Sequence, residues 1–113
     1  MKLSEIKSKL KLTSLYENFE KEKDIDVKKV YTSDLLSDIL ANSPEEALFV
    51  TIQAHINTLA IAKEKKALGI VICNNRPVPK DFLDVAQREN LSVFLTDKNQ
   101  FEVSGLLYGL IHN

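Results

Sequence analysis

The sequence predicts a three-layer α/β/α sandwich built around a mainly parallel sheet. Three stretches, Ala47–Ile52, Gly69–Cys73 and Leu91–Leu95, are almost wholly apolar. Strands buried on both faces look like this. Helical patterns of about ten to fifteen residues separate them, which implies right-handed βαβ crossovers. Each apolar run is followed at once by a polar group: Gln53, His55 and Asn57; Asn74, Asn75 and Arg76; Thr96 and Asp97.

Taken in order, Leu3, Ile6 and Leu10 recur at helical spacing between charged residues, so residues 3–10 read as a short amphipathic helix. Residues 12–16 read as a first strand. Asn18 to Asp24 is charged, has no apolar face and reads as a solvated connection. Ile25 to Thr32 is rich in β-branched residues and fits a strand nearer an edge. Ser33 is placed to cap the next helix, whose apolar stripe is Leu35, Leu36, Ile39 and Leu40. Pro44 ends that helix, because a proline disfavours helical backbone in the residue before it. After the central strand, a helix runs from about Ala54 to Leu68. After the Gly69–Cys73 strand, residues 74–77 form a loop. Pro79 opens a helix that buries Phe82, Val85 and Ala86 and ends near Asn90. The last helix presents Val103, Leu106, Leu107, Leu110 and Ile111 on one side. Phe49, Val50, Ile70, Val71, Val93 and Phe94 are the expected sheet core.

Length and charge bound the function. The 113 residues suffice for one domain, residues 1–113, with a core that needs no staples. A net charge of −1 argues against a general electrostatic grip on nucleic acid. No apolar run approaches the ~20 residues of a membrane span. The N-terminus has no secretion-signal pattern. A lone cysteine, Cys73, excludes an internal disulfide and reads as a small core residue. A cytoplasmic protein is expected.

Parallel strands end on one side, so their polar followers should gather on one rim, where open α/β sheets bind ligands. The candidate ligand-binding residues are Ser33, Asp34, Gln53, His55, Asn57, Asn74, Arg76 and Thr96. Arg76 suits a phosphate or carboxylate, and helix N-termini offer N–H groups to an anion. The plainer reading makes them helix caps and turn formers, above all Ser33 and Thr96. His55 has no sequence-adjacent nucleophile or orienting carboxylate. Neither GxxxxGK[ST] nor GxGxxG occurs, and the chain has only three glycines. No catalytic residue, cofactor or metal site is expected. Gly105 and Gly109 lie one helical turn apart, which suits close packing on the chain's own sheet or on another subunit.

SDLLSDILA at Ser33–Ala41, the Thr-x-Gln-x-His-x-Asn order at Thr51–Asn57, and FEVSGLLY at Phe101–Tyr108 resemble the DRTGG-domain family. The resemblance covers most of the chain. Such domains are similar to the N-terminal domain of HPr kinase/phosphorylase and are found in regulatory regions of CBS-containing pyrophosphatases. The resemblance implies an α/β/α fold, a homodimer, and a regulatory or ligand-sensing role without catalysis. It also implies adenine-nucleotide effects and, for stand-alone copies, association with iron-only hydrogenase components. The sequence departs from the pattern at the glycine pair, where Lys29 and Val30 stand. The leading expectation is therefore a non-catalytic module binding a nucleotide or other small anion at the strand ends. One rival is a ligand-free docking subunit of a redox or metabolic enzyme. Another is a small enzyme using His55 with Asp34 or Asp97.

Overall fold

A computed structural model describes residues 1–18, 22–23 and 25–112. Among them the elements run α1 (Leu3–Leu10), β1 (Thr13–Tyr16), β2 (Val30–Thr32), α2 (Leu36–Asn42), β3 (Leu48–Thr51), α3 (Ile56–Glu64), β4 (Gly69–Ile72), α4 (Lys80–Arg88), β5 (Val93–Leu95) and α5 (Gln100–Ile111). The sheet order is β1-β5-β4-β3-β2. The β2–β3, β3–β4 and β4–β5 pairs are parallel, whereas β1 runs antiparallel to β5.

Two apolar clusters sandwich the sheet. Alternate residues of β3 and β4 feed opposite sides, as a strand's period of two requires. Leu48, Val50 and Val71 pack with Leu3, Ile6, Val103 and Leu107 under α1 and α5. Phe49, Ile70 and Ile72 pack with Ile39, Leu59, Phe82 and Ala86 under α2, α3 and α4. All six residues expected in the sheet core are fully buried. The three-layer expectation holds, with β1 and β2 as the two strands added by the N-terminal third.

Several boundaries differ from the sequence reading, each for a local reason. The strand expected over residues 25–32 shortens to Val30–Thr32. Before it the chain is held by α1 instead: Leu3 N donates to Ile25 O (3.0 Å) and Val27 N to Met1 O (2.8 Å). Part of the connection expected at residues 18–24 lies outside the described residues. Glu22 within it is buried rather than solvated, and accepts a hydrogen bond from Ser92 Oγ. The helix with the SDLLSDIL pattern starts later than expected, after Leu35, and Ser33 Oγ accepts the Leu35 N–H (3.1 Å) in the turn before it. Its expected apolar stripe is only half used. Ile39 is buried and Leu36 is partly buried, but Leu35 is 59% exposed and Leu40 47% exposed. Leu106, expected on the packed side of α5, is also 47% exposed.

The helix expected to reach Leu68 stops at Glu64 because the chain turns there. Lys66 has φ 54°, its N–H donates to Lys63 O (3.2 Å), and Ala67 N donates to Ala62 O (2.8 Å). That is a Schellman turn. Asn90 closes α4 the same way, with Asn90 N on Gln87 O and Leu91 N on Ala86 O, and Lys11 closes α1. None of the three left-handed positions is a glycine.

Candidate functional site

The C-terminal ends of β2 to β5 share one rim. The start of β1 joins them, because Thr13 is paired with Leu95. Two loops build the centre of this rim. After β3, Gln53 N donates to Thr51 Oγ1 (3.1 Å) and Thr58 Oγ1 donates to Gln53 O (2.8 Å), which folds the backbone into a tight link. His55 then caps α3: its Nδ1 accepts the Asn57 N–H at 3.1 Å. An accepting Nδ1 places the neutral ring's proton on Nε2, a donor free to face outward. After β4, Asn74 (φ 60°) and Asn75 (φ 49°) are both left-handed, and Arg76 N donates back to Cys73 O (3.3 Å). Two successive left-handed residues make a type I′ turn, which asparagine tolerates better than most residues. The Asn-Asn pair is the sequence signal for this turn.

Because β3 and β4 are neighbours, these loops bring Gln53, His55 and Arg76 together. They line a shallow depression of about 340 Å³ with Ile52, Ala54 and Pro77. Sequence reasoning did not single out those three walls; apolar residues beside a polar trio carry no distinctive signal. The lining has a guanidinium, an amide and an imidazole, and no carboxylate.

The other expected residues stand around or apart from this depression. Gln53 Nε2 donates to Asp34 O (2.7 Å), tying the β2–α2 turn to the rim. Tyr31 OH and Asn42 Nδ2 both donate to Asp38 (2.9 and 2.8 Å) and brace the same turn. These bonds, Asn42's first and then those of Ser33 and Tyr31, hold the Asp38 carboxyl below its usual range. Ser33 serves this turn twice, bonding Asp38 and accepting the Leu35 N–H, and Asn57 gives its backbone N–H to His55. Asn74 N donates to Lys98 O (2.9 Å). Thr96 is nearly buried, its Oγ1 accepts the Lys98 N–H (3.2 Å), and it lines a second, separate depression of about 360 Å³ with Lys11, Thr13, Asn75 and Asp97. Lys11 and Thr13 reach this rim only because β1 is antiparallel, which four residues of sequence do not announce.

Several helix N-termini are already occupied. Asn99 Oδ1 accepts Glu102 N (2.8 Å) at the start of α5, with Glu102 returning a bond to the Asn99 N–H, and His55 closes α3. Anion binding here therefore falls to side chains more than to free backbone donors. No group of three or more metal-ligating side chains exists among the described residues. Cys73 is fully buried, and desolvation pushes its thiol to about 11, so it is a core residue and not a nucleophile. Where the DRTGG pattern has its glycine pair, Lys29 and Val30 lead directly into β2 with no left-handed backbone.

No family model and no curated protein matches the sequence. The fold does match a solved structure: the CBS and DRTGG domains of the regulatory region of Clostridium perfringens pyrophosphatase, complexed with its activator diadenosine tetraphosphate. The TM-score is 0.75 at 19% identity, covering 93% of this chain and 45% of that one. The chain thus spans less than half of the structure it resembles. The fold is shared, and it is DRTGG-like.

Proposed function

We propose that this chain is a non-catalytic regulatory module that binds a mononucleotide or another small anion in the Gln53–His55–Arg76 depression. The observation that carries the proposal is that convergence: a guanidinium, an imidazole and an amide, with no carboxylate in the lining. The nucleotide complex of the structurally similar regulatory region supports it. In this reading Arg76 grips the anion and His55 Nε2 donates. Gln53, held by Asp34, fixes the wall, and Ser33, Asn57, Asn74 and Thr96 shape the surrounding turns. Among the described residues no cluster of carboxylates could hold a metal ion against further phosphate charge, so the expected dissociation constant is micromolar to millimolar, worth roughly 4–8 kcal/mol.

The module acts as one unit over residues 1–113 in the cytoplasm, where a single buried thiol needs no oxidising partner. No helix of the described residues is long and apolar enough to cross a membrane. We also propose that it works as a homodimer.

A thermal-shift screen over nucleotides and phosphorylated metabolites tests the ligand reading. A binder should raise the melting temperature by linkage. Arg76→Ala should abolish that rise without changing the unliganded melting temperature. If nothing in the panel shifts the wild type, the docking role for a redox or metabolic enzyme replaces this reading. Turnover of a metabolite that is lost in His55→Ala would establish the enzymatic one.

A further inference from the structure

Another depression lies at the opposite end of the sheet from the Gln53–His55–Arg76 rim. It sits between the last turns of α3 and α4, where the chain enters β4 and β5, and its volume is about 320 Å³. Leu59 and Ala62 of α3, Ala67 and Leu68 before β4, and Leu91 before β5 give it an apolar floor. The local fold explains the gap. Both helices end in left-handed turns, at Lys66 and Asn90, which carry the backbone off the helix axis. Ala62 and Ala67 end at Cβ, so the space between the helices stays open.

The mouth of this depression carries both signs of charge. Lys63 of α3 pairs with Glu89 at the end of α4, at 3.4 Å. Lys66 and Glu46 add one more charge of each sign. Glu46 is pinned to the end of α3, because its N–H donates to Lys65 O (3.0 Å). Two helix C-termini close on the same place, and their carbonyls favour a positive group. The rim depression differs in kind, with a guanidinium and no carboxylate.

We infer that this depression binds an apolar α-amino acid as its zwitterion. An aliphatic amino acid joins a compact apolar body to one charge of each sign, which is what the floor and the mouth together match. Its side chain lies on Leu59, Ala62 and Leu91. Its carboxylate meets Lys63 and Lys66, and its ammonium meets Glu46, Glu89 and the helix-end carbonyls. A bare anion would face two carboxylates and two helix C-termini, and a bare cation would face two lysines. Size agrees, since about 320 Å³ is near the lower limit of small-molecule sites, roughly 300–1,000 Å³. The charges at the mouth are exposed, so each pair contributes little. The apolar floor therefore sets a weak, millimolar affinity. The site shares no residue with the rim, so it stands or falls apart from the anion reading.

A chemical-shift titration with L-leucine from about 0.1 to 20 mM tests the inference, a range suited to millimolar binding. The expected result is saturable shifts at Ala62, Lys63, Ala67 and Leu91, with Gln53, His55 and Arg76 unmoved. Isocaproate lacks the ammonium and isoamylamine lacks the carboxylate; each should bind roughly fivefold or more weakly than leucine, the effect of one lost exposed ion pair. Ala67→Leu fills the depression and should abolish the leucine shifts in a protein that keeps its dispersed spectrum. Lys63→Glu, at a side chain 70% exposed, leaves the core intact and should weaken leucine binding by roughly fivefold. No saturable shift at the four residues would overturn the site. Isocaproate or isoamylamine binding as tightly as leucine would overturn the zwitterion. Leucine shifts that survive both substitutions would overturn the placement.

Discussion

The two middle strands and the elements at the β2 edge obey different rules. Every residue of β3 and β4 is buried, and helices cover both faces. At the edge, all three residues of β2 are only partly buried, and Leu35, just before α2, and Leu40 within it are exposed. In the middle each side chain has one place to go, so sequence and structure agree. At the edge burial is incomplete, and polar bonds such as Tyr31–Asp38 and Gln53–Asp34 share in fixing the chain.

The largest test of this contrast is truncation in the middle. Phe49→Ala should cost about 3–5 kcal/mol in denaturant unfolding, the usual toll of an emptied core ring site. A loss below about 1 kcal/mol would mean that the site collapses or is not central. Cys73 offers a second reading of the same core. Its thiol should resist modification in the native state and react only as fast as the protein opens, because burial and a value near 11 leave almost no thiolate.

A gain is expected at a helix end. Lys66 holds a left-handed conformation that costs an L-residue roughly 1–2 kcal/mol. Replacing it with glycine relieves that strain but loosens the unfolded chain by about 0.4–1 kcal/mol. Lys66→Gly should therefore stabilise by about 0.5–1 kcal/mol, read as a higher denaturation midpoint. By contrast, Leu40→Ala at the edge should change stability by less than about 0.5 kcal/mol, as exposed substitutions do. A loss as large as that of Phe49→Ala would erase the distinction between middle and edge.

Glu22 gives the subtlest test. Burial raises its carboxyl above 4.5, with the Ser92 hydrogen bond pulling the other way. The folded state therefore binds this proton more readily than the unfolded chain does. Its charged form weighs on folding at neutral pH, and that burden lifts as pH falls through the raised value towards 4.5. Glu22→Gln should thus stabilise at pH 7, and its advantage over wild type should shrink on acidification. An advantage that grew towards acid would reverse the assignment.

These contrasts explain what could be read from the sequence. Apolar runs such as Leu48–Thr51 declare burial on both faces, and with it the strands, their order of connection and the core. The direction of β1 was hidden because pairing with β5 depends on a partner about 80 residues away, not on its own four residues. The exposure of Leu35, Leu40 and Leu106 was hidden because periodicity reports what a helix can bury, not what covers it. Glu22 was hidden because its partner, Ser92, lies 70 residues along the chain. The rim was legible as a place, since parallel strands share an end. Which rim residues meet was not: Gln53, His55 and Arg76 converge because β3 and β4 are adjacent, while Thr96 is drawn into its own turn by the Lys98 N–H.

The claim that the Gln53–His55–Arg76 depression is a ligand site is tested most directly by a chemical-shift titration with adenosine monophosphate, read residue by residue. Saturable shifts are expected at Gln53, His55 and Arg76, fading towards Thr96 and absent from Phe101 and Tyr108. Saturable binding that leaves all three rim residues unmoved would contradict it.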